Sequence, residues 1–333
     1  MKSSLNRREF LRITGTGISL LTIAGCKNAN QYCRNSVPGG RPNILLITTD
    51  QQRKDSLGIY NQLCQGGTKA LPFRDKIGVP GAADANSVGT KHKNLGDETY
   101  WRKAIAIHHG SVKMIDEEIG TIVDTLKKHN LYEHTMIIFT SDHGDYLGNH
   151  GFTFKGFPAY EEVYNVPFVV KNAGQVKRPI RTNALIGHVD IAPTVLNAAG
   201  IDIPEQMHGV SQMEVLTGKR DKIRKAFVIE NRAVEKGFYQ KMLVTDQYKI
   251  VMYMDQDYGE LYDMVTDPNQ YENLWDMKSY QALKRSLLGQ LLAEDVIAGQ
   301  NKESTQKNTH EILNELSLQM HAEEPVLPRT SYS

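Results

Sequence analysis

Asp50, Asp142 and His143 are the residues whose chemistry and position could hold a cation. Met136, Ile137, Ile138 and Phe139 form a short, β-prone apolar run that breaks into Thr140, Ser141, Asp142, His143 and Gly144. A run of that length bounded by such residues predicts a buried strand. In open α/β sheets, ligands gather in the crevice beyond the carboxyl ends of the strands. A carboxylate and an imidazole are therefore expected where that strand stops, and Lys155, thirteen residues after Asp142, could supply a positive charge there. One strand end makes only part of a metal site. Asn43, Ile44, Leu45, Leu46 and Ile47 form a second run, which stops in Thr48, Thr49, Asp50 and Gln51. Carboxylate oxygens at two strand ends suit Ca²⁺ or Mg²⁺, while the imidazole also admits Mn²⁺ or Zn²⁺.

The elements that must position these residues alternate in type. Val112, Ile115, Ile119, Ile122, Val123 and Leu126 recur at helical spacing and predict an amphipathic helix from about Glu98 to His129, with Asn130 as its stop. His108 and His109 lie on it side by side and so point to different faces. A strand at Val166–Val170 and a helix at Ile191–Ala199, capped by Asp190, are expected next; Asp55 is likewise read as a cap. Further on, Phe227–Glu230, Lys241–Thr245 and Lys249–Tyr253 predict strands at hairpin spacing. Glu260 to Asp263 is read as leading into a turn at Asp267, Pro268 and Asn269, followed by a helix over 279–294.

Composition narrows the classes of function. The 333 residues are 40% hydrophobic and 23% charged with a formal net charge of +1, and no basic block with interleaved aromatics marks a nucleic-acid partner. Cys26, Cys33 and Cys64 have no metal-ligand spacing and make no disulfide framework. Residues 1–26 read as an export signal. Asn6, Arg7, Arg8, Glu9, Phe10 and Leu11 resemble a twin-arginine motif, and the apolar stretch after it is too short to span a bilayer. Ile23, Ala24, Gly25 and Cys26 resemble a lipobox with Cys26 as the lipidated residue; the alternative is a plain signal peptide whose cysteine is incidental. Residues 27–40 read as a linker. The expected location is the bacterial periplasm or cell envelope, with membrane contact only through the lipid anchor.

PNILLITTDQQRKDSLGIY (42–60), SDHGDYLGNHGFTFKG (141–156), YEEVYNVPFVV (160–170), HVDIAPTVLNAAGI (188–201) and ELYDMVTDPNQYENL (260–274) together resemble the sulfatase family of the alkaline-phosphatase-like superfamily. The resemblance implies a three-layer α/β/α sandwich with a mostly parallel central sheet over residues 41–222, internally truncated. It also implies a small C-terminal antiparallel-sheet subdomain over 223–298, and 299–333 is left as a polar tail. By the same resemblance Asp50, Gln51, Asp142 and His143 bind a divalent metal, most simply Ca²⁺. Lys155 would be catalytic and substrate-binding, and His150 substrate-binding. The substrate would be a sulfated small molecule or polysaccharide.

The family's nucleophile motif, Cys or Ser, any residue, Pro, any residue, Arg, is what supplies its formylglycine. No such motif follows the first strand. Ala70, Leu71, Pro72, Phe73 and Arg74 have the offsets but begin with alanine; Cys64 lacks both Pro and Arg; Ser36 precedes the strand. Covalent catalysis needs an activated nucleophile, so the expectation is a sulfuric ester hydrolase that is impaired or inactive. The alternatives are a phosphodiester or phosphonate monoester hydrolase of the same superfamily and a non-catalytic metal- and glycan-binding envelope lipoprotein.

Overall fold

The computed structural model describes residues 40–57, 98–152, 154–171, 179–233, 238–254 and 256–299. The expected signal segment with Cys26, the linker up to residue 39, the stretch 58–97 and the tail from 300 lie outside the described residues.

The first strand, β1 (Asn43–Thr49), leads by way of α1 (Glu98–Lys128) to β2 (Thr135–Ser141), and β1 and β2 pair in parallel. After α2 (Glu161–Tyr164), β3 (Phe168–Lys171) returns antiparallel on the far side of β2, giving the order β1-β2-β3. Among the described residues this sheet thus has one parallel and one antiparallel pair. Its central strand is apolar without alternation because both faces are covered. Met136 and Ile138 are fully buried and pack with Met213, Ile44, Phe168 and Val170. Across them lie α3 (Ile191–Ala198) and α4 (Met213–Leu216). Asn130 ends the α1 region in a left-handed conformation, φ 56°, while the Leu131 N–H donates to the Leu126 carbonyl at 2.8 Å. That bond is the six-residue closure of a helix C-terminus.

The second sheet contains β4 (Ala226–Ala233), β5 (Phe238–Thr245), β6 (Tyr248–Tyr253) and β7 (Gly259–Asp263), antiparallel throughout and in sequence order. The stretch read as the approach to a turn is β7, buried along its whole length. Its residues do not alternate because neither face meets water. Leu243, Ile250 and Leu261 on one face meet Trp275 and Leu287, Leu288 and Leu291 of α5 (Gln281–Gly299). The other face carries Met242, Val251, Tyr253 and Tyr262. Against these pack Tyr146, Phe152, Phe157, Tyr160 and Val163, which come from the loop after β2 and from α2. The buried Lys249 ammonium donates to Glu161 Oε1 at 2.8 Å across this joint.

Asp190, read as the cap of the helix after it, does not cap α3 through its side chain and already has helical backbone angles (φ −85°, ψ −13°). Its carboxylate takes both Arg224 guanidinium nitrogens at 2.7 Å and the N–H groups of Gly187 and Val210. Asp55 faces back to Arg53, whose Nε donates to Oδ1 at 2.7 Å.

Candidate metal centre

Parallel pairing sets the site. Thr49 lies opposite Ser141 in register, so the next residues, Asp50 and Asp142, leave adjacent strand ends side by side. The crossing is tied at the last rung: the Asp142 N–H donates to the Thr49 carbonyl at 3.1 Å, and the Ser141 hydroxyl donates to the same carbonyl at 3.0 Å. Ser141 Oγ also accepts the Gln52 N–H at 2.9 Å. With His143, Asp50 and Asp142 bring one ligand atom each to within 4.8 Å of one another. His143 Nε2 stands 3.6 Å from Asp50 Oδ1 and 3.4 Å from Asp142 Oδ2.

The donor set suits a divalent cation. His143 Nδ1 lies 2.9 Å from the Gly144 carbonyl, which can only accept, so Nδ1 carries the proton and the Nε2 lone pair faces the carboxylates. That arrangement is how a backbone carbonyl orients a metal-binding imidazole. Asp142 Oδ1 accepts the N–H groups of His143 at 2.7 Å and Gln51 at 3.0 Å, which leaves Oδ2 for a cation. Burial raises the Asp142 carboxyl, but those two N–H donors, with His143 and Lys155, outweigh it and hold the group below its ordinary range. Both carboxylates remain partly open to solvent, so an ion could reach them.

Lys155 comes back to the same point because the intervening loop folds on itself. The Tyr146 N–H donates to the Phe154 carbonyl and the Gly148 N–H to the Phe152 carbonyl, each at 2.8 Å. Leu147, Gly148, His150 and Phe154 take positive φ to make the turn, and the Tyr146 hydroxyl donates to the Pro158 carbonyl at 2.7 Å. Lys155 Nζ then donates to His143 Nε2, the lone pair a cation would also use. Asp50, Asp142, His143 and Lys155 are thus brought together, with Gln51 beside them in a left-handed conformation, φ 63°.

His150 is not brought to this group. It is 3% exposed, stacks on Tyr160 at 3.6 Å between ring centroids, and turns Nε2 towards Glu162 Oε1 at 3.6 Å. Three buried residues around the site went unread in the sequence: Ser141, Arg53 and Asp145. Arg53 Nη1 donates to the carbonyls of Asp145 at 3.0 Å and Tyr146 at 3.1 Å, and Gln51 Nε2 donates to Asp145 Oδ2 at 2.5 Å. The signal for Asp145 was present, a carboxylate two residues beyond His143. Arg53, beside Lys54 and Asp55, carries no comparable signal in the sequence.

Comparison with known proteins places the chain in a family. Residues 80–201 match the family model described as Sulfatase, and residues 148–296 match that described as N-sulphoglucosamine sulphohydrolase, C-terminal. The chain is 31% identical over 275 residues to the N-acetylglucosamine-6-O-sulfatase of Bacteroides thetaiotaomicron, covering 80% of this chain and 49% of that protein. It is 27% identical over 277 residues to the Delta 4,5-hexuronate-2-O-sulfatase of the same organism, covering 77% and 57%. A solved structure of a protein in complex with its substrate, D-glucosamine-2-N,6-O-disulfate, superposes with a TM-score of 0.54 at 29% identity. That match covers 60% of this chain and 42% of the other. The chain spans about half the length of these relatives. It belongs to the sulfatase family, in the alkaline-phosphatase-like superfamily.

Proposed function

We propose that this chain recognises sulfate esters of saccharides through a divalent cation shared by Asp50 and Asp142, and that its capacity for turnover is impaired. The pairing register of β1 and β2 carries this reading, because it makes two distant carboxylates neighbours. Asp50, Asp142, His143 and the Gln51 side-chain oxygen would hold the ion, and hard oxygen donors favour Ca²⁺ over softer metals. When bound, such an ion polarises a sulfate oxygen as a Lewis acid. Lys155 adds a fixed positive charge beside it, which stabilises an anion in the same place. The sulfated-saccharide class is supported by the relatives named for N-acetylglucosamine-6-O-sulfate and hexuronate-2-O-sulfate hydrolysis. The impairment is inferred from the sequence, which has no Cys/Ser-x-Pro-x-Arg segment to supply the attacking atom.

The test is calorimetric binding of glucosamine 6-sulfate with and without Ca²⁺, run beside turnover of an aryl sulfate and an aryl phosphodiester. Sugar binding that depends on Ca²⁺, with turnover of neither ester above background, is the expected result. Brisk aryl sulfate hydrolysis overturns the impairment, and brisk phosphodiester hydrolysis turns the reading towards the superfamily's phosphoryl hydrolases. Failure to bind Ca²⁺ or Mn²⁺ removes the cation site altogether. We also propose that residues 1–26 direct export and that Cys26 carries a lipid, supported by the motifs quoted above. Cys26→Ser is expected to move the exported protein from the membrane fraction to the soluble fraction.

A further inference from the structure

An amide side chain can offer a cation its oxygen only when something else holds its nitrogen, since a half-turn about the last torsion exchanges the two. Gln51 follows Asp50 in the chain and meets Asp142 in space. Its backbone N–H donates to Asp142 Oδ1 at 3.0 Å, which fixes the start of the side chain. Its Nε2 donates to Asp145 Oδ2 at 2.5 Å. An ionised carboxylate accepts hydrogen bonds and donates none. Asp145 therefore admits only the orientation in which the nitrogen is turned to it and Oε1 is left for another partner.

Asp145 is itself held. It is 7% exposed, and its second oxygen accepts the Leu147 N–H at 2.7 Å. The Arg53 guanidinium, 4% exposed, holds the backbone at Asp145 and just after it through the carbonyls of Asp145 and Tyr146. Neither Asp145 oxygen is among the atoms that gather near His143 Nε2. We infer that Asp145 is a positioning residue of the cation site, acting through Gln51 to keep the amide oxygen towards the ion shared by Asp50 and Asp142. The inference rests on the proposed reading of those residues as a cation site.

Ca²⁺ and Mn²⁺ titration calorimetry on the full chain tests it. Asp145→Asn keeps the shape and an oxygen to accept from Leu147, but its amide nitrogen then faces Gln51 and favours the flipped amide, with nitrogen rather than oxygen towards the ion; the expected loss of Ca²⁺ affinity is about 10- to 100-fold. Gln51→Glu alone is also expected to bind Ca²⁺ more weakly, because two carboxylates then face each other, although a carboxylate is ordinarily the better ligand for this ion. The swap Gln51→Glu/Asp145→Asn restores a donor opposite an acceptor and is expected to recover about tenfold over either single change. A merely structural Asp145 would show no such recovery.

Wild-type affinity in Asp145→Asn overturns the inference, as does a folded double variant that binds no better than the singles. Should Asp145→Asn fail to fold by circular dichroism, Gln51→Glu carries the test, and tighter Ca²⁺ binding by it overturns the inference. Binding that is lost in Asp142→Asn but kept in Asp145→Asn sinks this inference alone. A wild-type chain that binds neither ion sinks it together with the cation-site reading.

Discussion

Gly144 shows how little room the proposed metal ligands have been given. A Cβ on it would lie 1.8 Å from the Glu162 carbonyl oxygen, which is backbone and cannot rotate away. Gly144 also donates its N–H to the Val163 carbonyl at 2.9 Å and offers its own carbonyl to His143 Nδ1. Gly144→Ala must therefore push α2 from the loop or turn the imidazole, and overpacking of this kind costs about 1–3 kcal/mol. The expected outcome is a lower urea midpoint at unchanged slope together with weaker Ca²⁺ binding; a variant with unaltered midpoint would show that the contact can relax. Ser141→Ala removes a fully buried hydroxyl that joins the Thr49 carbonyl to the Gln52 N–H. Leaving those groups without it is expected to destabilise the chain by about 1–3 kcal/mol in the same urea measurement. Asp50, Asp142 and His143 were legible in the sequence because each follows an apolar run, and a strand's end is where α/β sheets keep their ligands. Asp145 and Arg53 were not, because their partners are a loop carbonyl and an amide many residues away. His150 was read by its place in a motif, but its burial depended on Tyr160 and Glu162 closing over it.

The joint between α2 and the second sheet belongs to the scale of elements. The fully buried Lys249 meets a partly exposed Glu161 there, Gln270 Oε1 accepts the Glu161 N–H at 2.8 Å, and the Tyr164 hydroxyl accepts from Asn231 and Gln240. Removing Lys249 strands the Glu161 carboxylate, which still meets some water, so Lys249→Ala is expected to cost about 1–3 kcal/mol, whereas Glu161→Gln/Lys249→Met should cost less. Chemical denaturation of the two variants checks this, and equal losses would count against the stranded charge as the cause. The same joint sets an acid limit. Burial alone would raise the Glu162 carboxyl, but the His150 ring and the Asn149 amide hold it down to about 2 from 4.5. Burial would raise Glu161 too, and Lys249 with Asn165 keeps it below its ordinary range. A depressed carboxylate stabilises the fold above its unfolded pKa, and that stability drains away as pH falls through its folded value. For Glu162 the window runs from about 4.5 to about 2 and the amount is about 3 kcal/mol. Glu162→Gln should flatten the fall of melting temperature across that window; an unchanged slope would show that other groups set it. None of this pairing could be read from the chain, since Glu161 and Lys249 look like surface charges until two separate elements enclose them. The strands themselves were legible as β5 and β6, but β7 was missed because full burial erases the alternation that marks a strand.

At the scale of the whole molecule, apolar burial is unevenly shared, and the unevenness has a measurable consequence. Met242, Leu243, Ile250, Val251 and Leu261 are fully buried in a sheet covered on both faces. In α1 no residue is buried among the described ones, and Ile107, Met114 and Ile122 are 71%, 58% and 42% exposed. The periodicity of α1 was readable because it is local. Whether its stripe is covered depends on the rest of the chain, which spacing alone does not specify. Local opening follows buried contacts, so amides of β5 and β6 should exchange with solvent last and those of α1 well before them. β2 should fall between, since Met136 and Ile138 are buried but its sheet has three strands among the described residues. An ion held at the proposed site would bind the native state and not the unfolded one, so it would raise protection only where opening destroys the site. Added Ca²⁺ is thus expected to slow exchange at Thr49–Gln52 and Thr140–Gly144 while α1 stays unchanged. Hydrogen exchange read by mass spectrometry resolves these segments. If α1 and β5 exchanged together, the chain would open as one cooperative unit, and the exposed stripe of α1 would have to be covered in solution.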